Sequence, residues 1–379
     1  MRSVWVTRRR IGSKSKISDD EIPPMQEVMS DRSSASVRRL QTAILRSVSR
    51  SFYLSIRFLP APLRDPVALA YLLARTTDTV ADTPRISGTL RAETLQTLSK
   101  AIQGKASRSV VVDLVASFAP LQQHTAERTL VESLPDCLEW LDHLDISDRV
   151  DVRALLEKIT QGQMLDLKCF GDTAEIAALP TAADLDKYTF LVAGCVGEFW
   201  TRLGLRHIRK FARLPEDEML ALGKGYGMGL QLVNILRDAG SDLEAGRCYF
   251  PEDELTSARL TPSQILSEPE RFQPIYRNWV DKAERDLECG IQYSRAIRNR
   301  RVAAATVLPG LIGARTLALL REAGATALHR KIKVSRREVR EIIARLALTF
   351  AAGSKFAAVF DRCRTVSLPF TKNNYAAFP

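Results

Sequence analysis

The sequence predicts an all-α fold, a single helical bundle with an active-site cavity at its centre. Apolar residues recur every three or four positions along most of the 379 residues, and no segment shows the sustained alternation of a half-buried strand. Hydrophobic residues make up 45% of the chain, which is enough for a sizeable core. Two of the apolar helical segments also carry paired carboxylates, and polar groups on core helices of a bundle indicate an internal site.

The net charge of +11 admits three kinds of partner: nucleic acid, an anionic membrane surface or a polyanionic substrate. The basic residues are spread along the chain, without zinc-finger spacing or an RNA-binding aromatic signature. Nucleic acid is therefore the weakest of the three, and it would predict salt-dependent DNA binding. We expect no nucleic-acid partner.

Cysteine usage and hydropathy favour a cytoplasmic protein. The six cysteines are scattered, with no C-x-x-C pair, which indicates reduced thiols rather than zinc or disulfides. We find no run of about 18 uncharged apolar residues and no apolar signal segment at the N-terminus, so we expect neither a transmembrane helix nor secretion.

Composition divides the chain into three parts. Residues 1–35 are basic, then rich in Ser, Asp and Pro, and predict a disordered tail. Residues 36–365 are predicted to form a single all-α domain. Residues 366–379 predict a loose C-terminal tail.

The first predicted helices lead to a carboxylate pair. A helical pattern from Ser34 ends at the segment Ser49–Phe52, and a proline pair then breaks the chain. The helix that follows carries Asp78 and Asp82 at i, i+4, with Arg75 one turn earlier, so all three lie on roughly one side. A single pair at this spacing is usually solvated surface.

The middle of the chain predicts more helices, over about residues 89–160. The next segment places Asp166 near Gly162; a solvated carboxylate and one supporting the site are equally favoured there. The stretch Tyr188–Leu203 is apolar and rich in small residues, which allows close helix packing. The glycines of Gly223–Gly229 do not form a phosphate-binding loop, which would need Gly-Lys-Ser/Thr after a strand, and indicate close helix packing.

A second carboxylate set lies on the helix predicted over Leu222–Asp242. Asn234, Asp238 and Asp242 follow one another at i, i+4 and i+8 and share one face, with Arg237 beside them. Arg247 follows past Gly246. Oxygen ligands of this kind suit Mg²⁺, which proteins usually hold through a few carboxylates together with substrate phosphates.

These segments together resemble the squalene/phytoene synthase family, whose members join two prenyl diphosphates head to head. The two Asp pairs resemble the family's paired aspartate-rich motifs. Ser49–Phe52 resembles its Ser-x-Ser-Phe motif, Tyr188 with Val192–Gly197 its Tyr-x-x-x-Val-Ala-Gly-x-Val-Gly helix, and Gly246–Pro251 a mobile flap after the second motif. The resemblance extends over roughly residues 40–330 and implies an isoprenoid synthase-type bundle.

The resemblance implies three groups of site residues. The implied metal ligands are Asp78, Asp82, Asn234, Asp238 and Asp242. The implied diphosphate-binding residues are Ser49, Arg50, Ser51, Arg75, Gln231, Arg237 and Arg247. The aromatic side chains implied near the reacting carbons are Phe52, Tyr71, Tyr188 and Tyr249. The implied cofactors are Mg²⁺, for which Mn²⁺ can substitute, and NADPH for a reductive second step.

The sequence departs from the family pattern at two positions, of which the first bears on the branch of the family and the second on the metal coordination. Thr79 follows Asp78 where many members have a second acid, as is typical of squalene synthases, and Ser241 precedes Asp242 where Glu is common. The segments around Pro309 and Lys331–Val334 also resemble that branch.

We therefore expect two farnesyl diphosphates to give presqualene diphosphate and then squalene. The alternatives are phytoene synthesis from geranylgeranyl diphosphate, a dehydrosqualene-type product, or a catalytically silent homologue that binds membranes or partners. A monomer or weak homo-oligomer with at most peripheral membrane contact is expected.

Overall fold

The computed structural model describes residues 35–49, 52–83, 86–171, 175–351 and 357–364. Within these ranges the regular secondary structure is all helical apart from two short strands, which confirms the predicted all-α class. Apart from residue 35, the predicted tails at 1–35 and 366–379 lie outside the described residues.

Eight helices lie before the first strand in the described ranges: α1 (Leu45–Ser49), which continues a π-helical turn over Leu40–Ile44, α2 (Phe52–Phe58), α3 (Ala61–Asp82), α4 (Gly88–Ile102), α5 (Arg108–Phe118), α6 (Thr125–Glu132), α7 (Leu134–His143) and α8 (Ile146–Phe170). Eight more follow: α9 (Ala182–Thr189), α10 (Cys195–His207), α11 (Glu216–Glu244), α12 (Glu252–Ser257), α13 (Pro269–Ala296), α14 (Arg300–Ala323), α15 (Arg336–Ala351) and α16 (Ala357–Arg364). The strands are β1 (Ala177–Leu179) and β2 (Arg247–Pro251).

Local signals set the ends of the helices that carry the site. Pro60 precedes α3, and α3 ends where Thr83 turns to an extended conformation before Pro84. A capping box of Thr181 and Asp184 begins α9, which satisfies its first backbone amides and leads directly to Tyr188.

The buried apolar residues form two clusters. The first contains residues of α1 to α8, and the second contains residues of α11, α13, α14 and β2. Helix α11 packs along α10 and α13, and α8 packs against α3. The space between α3, α8 and α11 therefore lies where the two clusters meet, in the middle of the bundle.

A two-stranded parallel sheet replaces the flap expected over Gly246–Pro251. Strand β2 pairs with β1, with Ala177 opposite Arg247 and Ala178 opposite Cys248. Residues 248–251 are buried, so the segment is part of the core rather than a loose cover. Gly246 has φ of 83°, a left-handed conformation that favours glycine and turns the chain from α11 into β2.

One helix, extended to Arg300–Leu328, is long and apolar enough to cross a membrane by length and composition alone. In its most apolar window, 67% of the residues are buried inside the molecule, as in the core helix of a bundle. Helix α14 packs on α13 and α11.

Candidate active site

A polar pocket of about 350 Å³ lies between α3, α8, α11 and β2. We call it the aspartate pocket, and its lining residues are Asp78, Ala81, Asp82, Gln163, Asp166, Tyr188, Val192, Gln231, Asn234, Ile235, Asp238, Asp242, Arg247 and Tyr249. The pocket brings together all five predicted metal ligands, two of the four predicted aromatic residues, and Gln231 and Arg247 from the predicted diphosphate set.

Helix α3 supplies the first wall of the pocket. Asp78 accepts a hydrogen bond of 2.6 Å from the amide nitrogen of Gln163 on α8. Burial raises the pKa of Asp78 to about 6, and the nearby charge of Asp82 adds to the shift. The pKa of Asp82 is also raised, because the surrounding protein desolvates the carboxylate although it faces the open pocket. Arg247 opposes that shift most strongly.

Helix α11 supplies the second wall, where each carboxylate has a guanidinium partner. Arg237 forms a forked ion pair with Asp238, its immediate neighbour. Arg247 on β2 donates a hydrogen bond of 3.0 Å to Asp242. Burial nevertheless raises the pKa of Asp242 to about 6, with the charge of Asp238 contributing and Arg247 opposing. Asn234 is exposed on the same face.

Aromatic side chains close one side of the aspartate pocket. The rings of Tyr188 and Tyr249 stack with centroids 5.1 Å apart and an angle of 28° between their planes. The hydroxyl of Tyr249 donates a hydrogen bond of 2.5 Å to Asp166 on α8. Burial raises the pKa of both tyrosines above the ordinary value, so both hydroxyls keep their protons at neutral pH.

The remaining predicted residues lie elsewhere. Ser49, Tyr71 and Arg75 line a separate polar pocket of about 550 Å³, together with Glu127 and His124. Each is engaged there: Ser49 donates to the carbonyl of Leu45, Tyr71 to that of Val48, and Arg75 pairs with Glu127 at 2.5 Å. Arg50, Ser51 and the side chain of Phe52 lie outside the described residues.

An apolar cavity of about 200 Å³ adjoins the aspartate pocket along α11. Tyr226, Gly227 and Leu230 line the cavity, whereas Gln231, Asn234 and the later residues of α11 line the aspartate pocket. A second π-helical turn, Phe190–Gly194, packs on α11, and there Val192 lines the aspartate pocket and Ala193 the cavity. One helix therefore presents an apolar segment and then a carboxylate segment to two neighbouring spaces.

Glycines bring the helices around the cavity into contact, as the sequence predicted. A Cβ atom on Gly197 would lie 1.8 Å from the carbonyl oxygen of Gly223, and one on Gly227 would lie 2.2 Å from that of Ala193. A side chain at Gly197 would force α10 away from α11, and one at Gly227 would force α11 away from the π-helical turn Phe190–Gly194.

The sequence analysis missed Gln163 and Glu127 and left the role of Asp166 undecided. Gln163 donates a hydrogen bond to Asp78, Asp166 accepts one from Tyr249, and Glu127 forms an ion pair with Arg75. For Gln163 and Asp166 a signal existed, because their i, i+3 spacing after Gly162 places them on one helical face. Glu127 offered none, since it lies 52 residues from Arg75 in the chain.

The donor set of the aspartate pocket fits a hard divalent cation. The oxygen of the Gln163 side-chain amide is buried without a hydrogen-bond partner, and the carboxylates of both walls face the same space. Within the described ranges, no three His, Cys, Asp or Glu side chains already lie close enough to hold one ion. Such an open arrangement suits Mg²⁺, which takes phosphate oxygens and water as its remaining ligands.

Comparison with known proteins identifies the family. A family model of squalene/phytoene synthases matches residues 45–338. The bifunctional lycopene cyclase/phytoene synthase of Phaeosphaeria nodorum is 30% identical over 254 residues, 66% of this chain and 40% of the relative. The 15-cis-phytoene synthase of Synechocystis sp. is 29% identical, over 64% of this chain and 66% of the relative. The squalene synthase of Saccharomyces cerevisiae is 29% identical, over 55% and 44% respectively.

The chain thus spans about two fifths of the length of the first curated relatives that it matches. Among solved structures, TcSQS with a bound ligand has a TM-score of 0.68 and 22% identity, covering 87% of this chain and 89% of that chain. A dehydrosqualene synthase in complex with a ligand has a TM-score of 0.58 and 20% identity, over 85% and 99%. These likenesses show the isoprenoid synthase fold.

The paired aspartate walls thus occupy a fold shared with squalene synthases, and the family match extends over most of the described chain. Members of this family condense prenyl diphosphates head to head, with Mg²⁺ assisting ionisation of the diphosphate. The chain belongs to the squalene/phytoene synthase family.

Proposed function

We propose that this protein condenses two farnesyl diphosphates head to head to presqualene diphosphate and, with NADPH, reduces that product to squalene. The observation that carries the proposal is the position of the apolar cavity next to the aspartate pocket along α11. A prenyl diphosphate has the same division, because a charged head is joined to a hydrocarbon tail.

The diphosphate head would lie in the aspartate pocket. Asp78, Asp82, Asp238 and Asp242, with Asn234, would hold Mg²⁺, which neutralises the leaving diphosphate when it is bound. Arg237 and Arg247 are then placed to receive phosphate oxygens, since a guanidinium binds phosphate in a forked geometry.

The tail would lie in the apolar cavity, whose lining residues are almost all apolar. Loss of diphosphate leaves an allylic cation that water would quench, so a lining of apolar side chains protects it. The stacked rings of Tyr188 and Tyr249, which line the aspartate pocket, would stabilise the cation by cation–π contact, worth about 0.5–2 kcal/mol. Their protonated hydroxyls keep these rings neutral.

The cavity lining supports the shorter substrate. Three large aromatic residues, Trp200, Tyr226 and Tyr293, take up part of its wall. Thr79 and the wall position of Pro309 add to the resemblance to squalene synthases. The second candidate is phytoene synthesis from geranylgeranyl diphosphate, which is favoured by the phytoene synthases among the sequence relatives.

Product analysis tests the proposal. Purified protein with Mg²⁺ is given farnesyl or geranylgeranyl diphosphate, each with and without NADPH, and the lipids are identified by mass spectrometry. We expect squalene from farnesyl diphosphate only when NADPH is present.

Other products would change the assignment. Presqualene diphosphate regardless of NADPH would limit the enzyme to the first half-reaction, and a dehydrosqualene-type product would remove the reductive step. Phytoene would establish the second candidate. No diphosphate release from either substrate would indicate a catalytically silent homologue.

A further inference from the structure

The apolar cavity reaches the molecular surface along a rim of apolar side chains. Val196 lines the cavity and is 39% exposed, and Trp200, Ala305 and Pro309 line it and are partly exposed. We call these four residues the cavity rim. Exposed apolar side chains gathered at the mouth of an apolar cavity mark a surface that contacts something other than water.

Phe58 adds an exposed apolar side chain on a helix that also lines the cavity. Helix α2 packs against α14, and Ile56 and Leu59 on either side of Phe58 face the cavity. Phe58 itself points outward and is 66% exposed. Its ring does not line the cavity, so binding of a substrate tail does not account for it.

Two arginines flank the same surface. Arg57 is exposed beside Phe58. Arg301 is exposed on the first turn of α14, four residues before Ala305 and eight before Pro309, which places it on the face of the helix that forms the rim. Guanidinium groups around an apolar patch match a surface that is anionic outside and apolar within, as an anionic bilayer is.

We propose that the cavity rim, with Phe58, Arg57 and Arg301, docks on the surface of an anionic lipid bilayer, so that prenyl tails and product pass between bilayer and cavity without crossing water. The identity of this cargo rests on the proposed function. A protein partner or a second copy of the chain would cover the mouth from which an apolar product leaves, whereas a bilayer receives that product.

Vesicle binding by the full chain, measured by flotation without substrate, tests the docking surface. The vesicles are phosphatidylcholine with or without phosphatidylglycerol. We expect Phe58→Ser to weaken binding about tenfold, as expected for the loss of one partly buried aromatic side chain. The matched control is Ile146→Ser, because Ile146 is 70% exposed on α8 and does not line the cavity.

Charge reversal at Arg57 tests the electrostatic contribution to vesicle binding. Arg57→Glu should weaken binding by about fivefold or more, and only when phosphatidylglycerol is present, because each basic residue near an anionic surface contributes about 1 kcal/mol. Arg277→Glu, at an exposed position on α13, makes the same change in net charge and should bind like the wild type.

The outcomes are distinct. Loss of binding in Phe58→Ser, with diphosphate release in detergent micelles unchanged, supports the docking surface. A wild type that ignores the vesicles, a Phe58→Ser variant that binds as well as Ile146→Ser, or dimerisation through Phe58 in sedimentation would each overturn it. A wild type that binds the vesicles through Phe58 but releases no diphosphate would refute the proposed function alone.

Discussion

The two aspartate walls carry aspartate pairs at the same spacing, yet their negative charges are compensated differently. On α11, Asp238 and Asp242 each pair with a guanidinium. On α3, Asp78 is held by the neutral amide of Gln163, and neither it nor Asp82 forms an ion pair within the described residues. Within the described chain, the carboxylates of the first wall therefore have no direct guanidinium partner, although the charge of Arg75 acts on both and that of Arg247 acts on Asp82.

The difference predicts how a charged ligand enters. A cation arriving at the first wall relieves repulsion between Asp78 and Asp82, whereas one arriving at the second wall competes with Arg237 and Arg247. Guanidiniums displaced in this way would become available to the diphosphate, so metal and substrate binding should reinforce one another. This coupling is an electrostatic consequence of which wall holds the arginines.

The largest expected effect is loss of turnover when either wall is neutralised. Asp82→Asn and Asp238→Asn should each lower Mg²⁺-dependent diphosphate release by about 10²–10³-fold, the cost of losing one preorganised charged group. The control is Asp217→Asn, an exposed position on the first turn of the same α11 helix. Full activity in either wall variant would refute the metal assignment.

The pH dependence should reflect the carboxylates with raised pKa values. Asp78 and Asp242 have pKa values of about 6, so protons compete with Mg²⁺ below that pH. The Mg²⁺ concentration for half-maximal activity should rise about tenfold for each pH unit below 6 for each proton displaced. Titrations of diphosphate release with Mg²⁺ at pH 5, 6 and 7 measure it, and a requirement independent of pH would contradict the raised values.

The same raised pKa values determine how the free energy of unfolding of the metal-free protein changes with pH. Between about pH 4 and 6 the folded state binds protons that the unfolded chain has already released, so the free energy of unfolding should fall as the pH rises through this window. Mg²⁺ should oppose that fall, because it binds the ionised carboxylates of the folded state. Thermal unfolding at pH 5 and 7, with and without Mg²⁺, checks both signs.

A smaller effect is expected from the hydrogen bond between Tyr249 and Asp166. Tyr249→Phe removes the donor that stabilises the ionised form of Asp166, so the pKa of that carboxyl should rise further and turnover should fall about fivefold. Tyr276→Phe is the matched control, because it removes a buried hydroxyl that donates to Leu236 of α11 outside the pocket. Equal activities in the two variants would remove Tyr249 from the site.

The smallest expected effect is a change in the free energy of unfolding that has opposite signs for the two walls. Without Mg²⁺ at pH 8, Asp82→Asn should raise the free energy of unfolding, since it removes a desolvated charge that forms no ion pair within the described chain. Asp238→Asn should lower it by less than about 1 kcal/mol, because Arg237 loses a half-exposed partner. Urea unfolding of both variants measures the difference, and shifts of the same sign would refute the contrast between the walls.

The helical class and the two aspartate motifs could be predicted because both are local patterns. The spacing of Asp78 and Asp82, or of Asn234, Asp238 and Asp242, sets a shared helical face without any tertiary contact. The short strand β2 could not be predicted, since its partner β1 lies about 70 residues away and its pairing follows from the positions of α8 and α11. The expected cytoplasmic location, oligomeric state and membrane contact stay predictions.

By itself, the sequence determined which residues carry charge on which helical face, since that depends only on residue type and the helical repeat. Tertiary structure decided which of those charges are compensated. Arg75 shares a helical side with Asp78 in the sequence, yet it pairs with Glu127 in a separate pocket, whereas Arg247 reaches across from β2 to Asp242. Ion pairs and burial depend on which helices meet, and distances between helices are not encoded in local spacing.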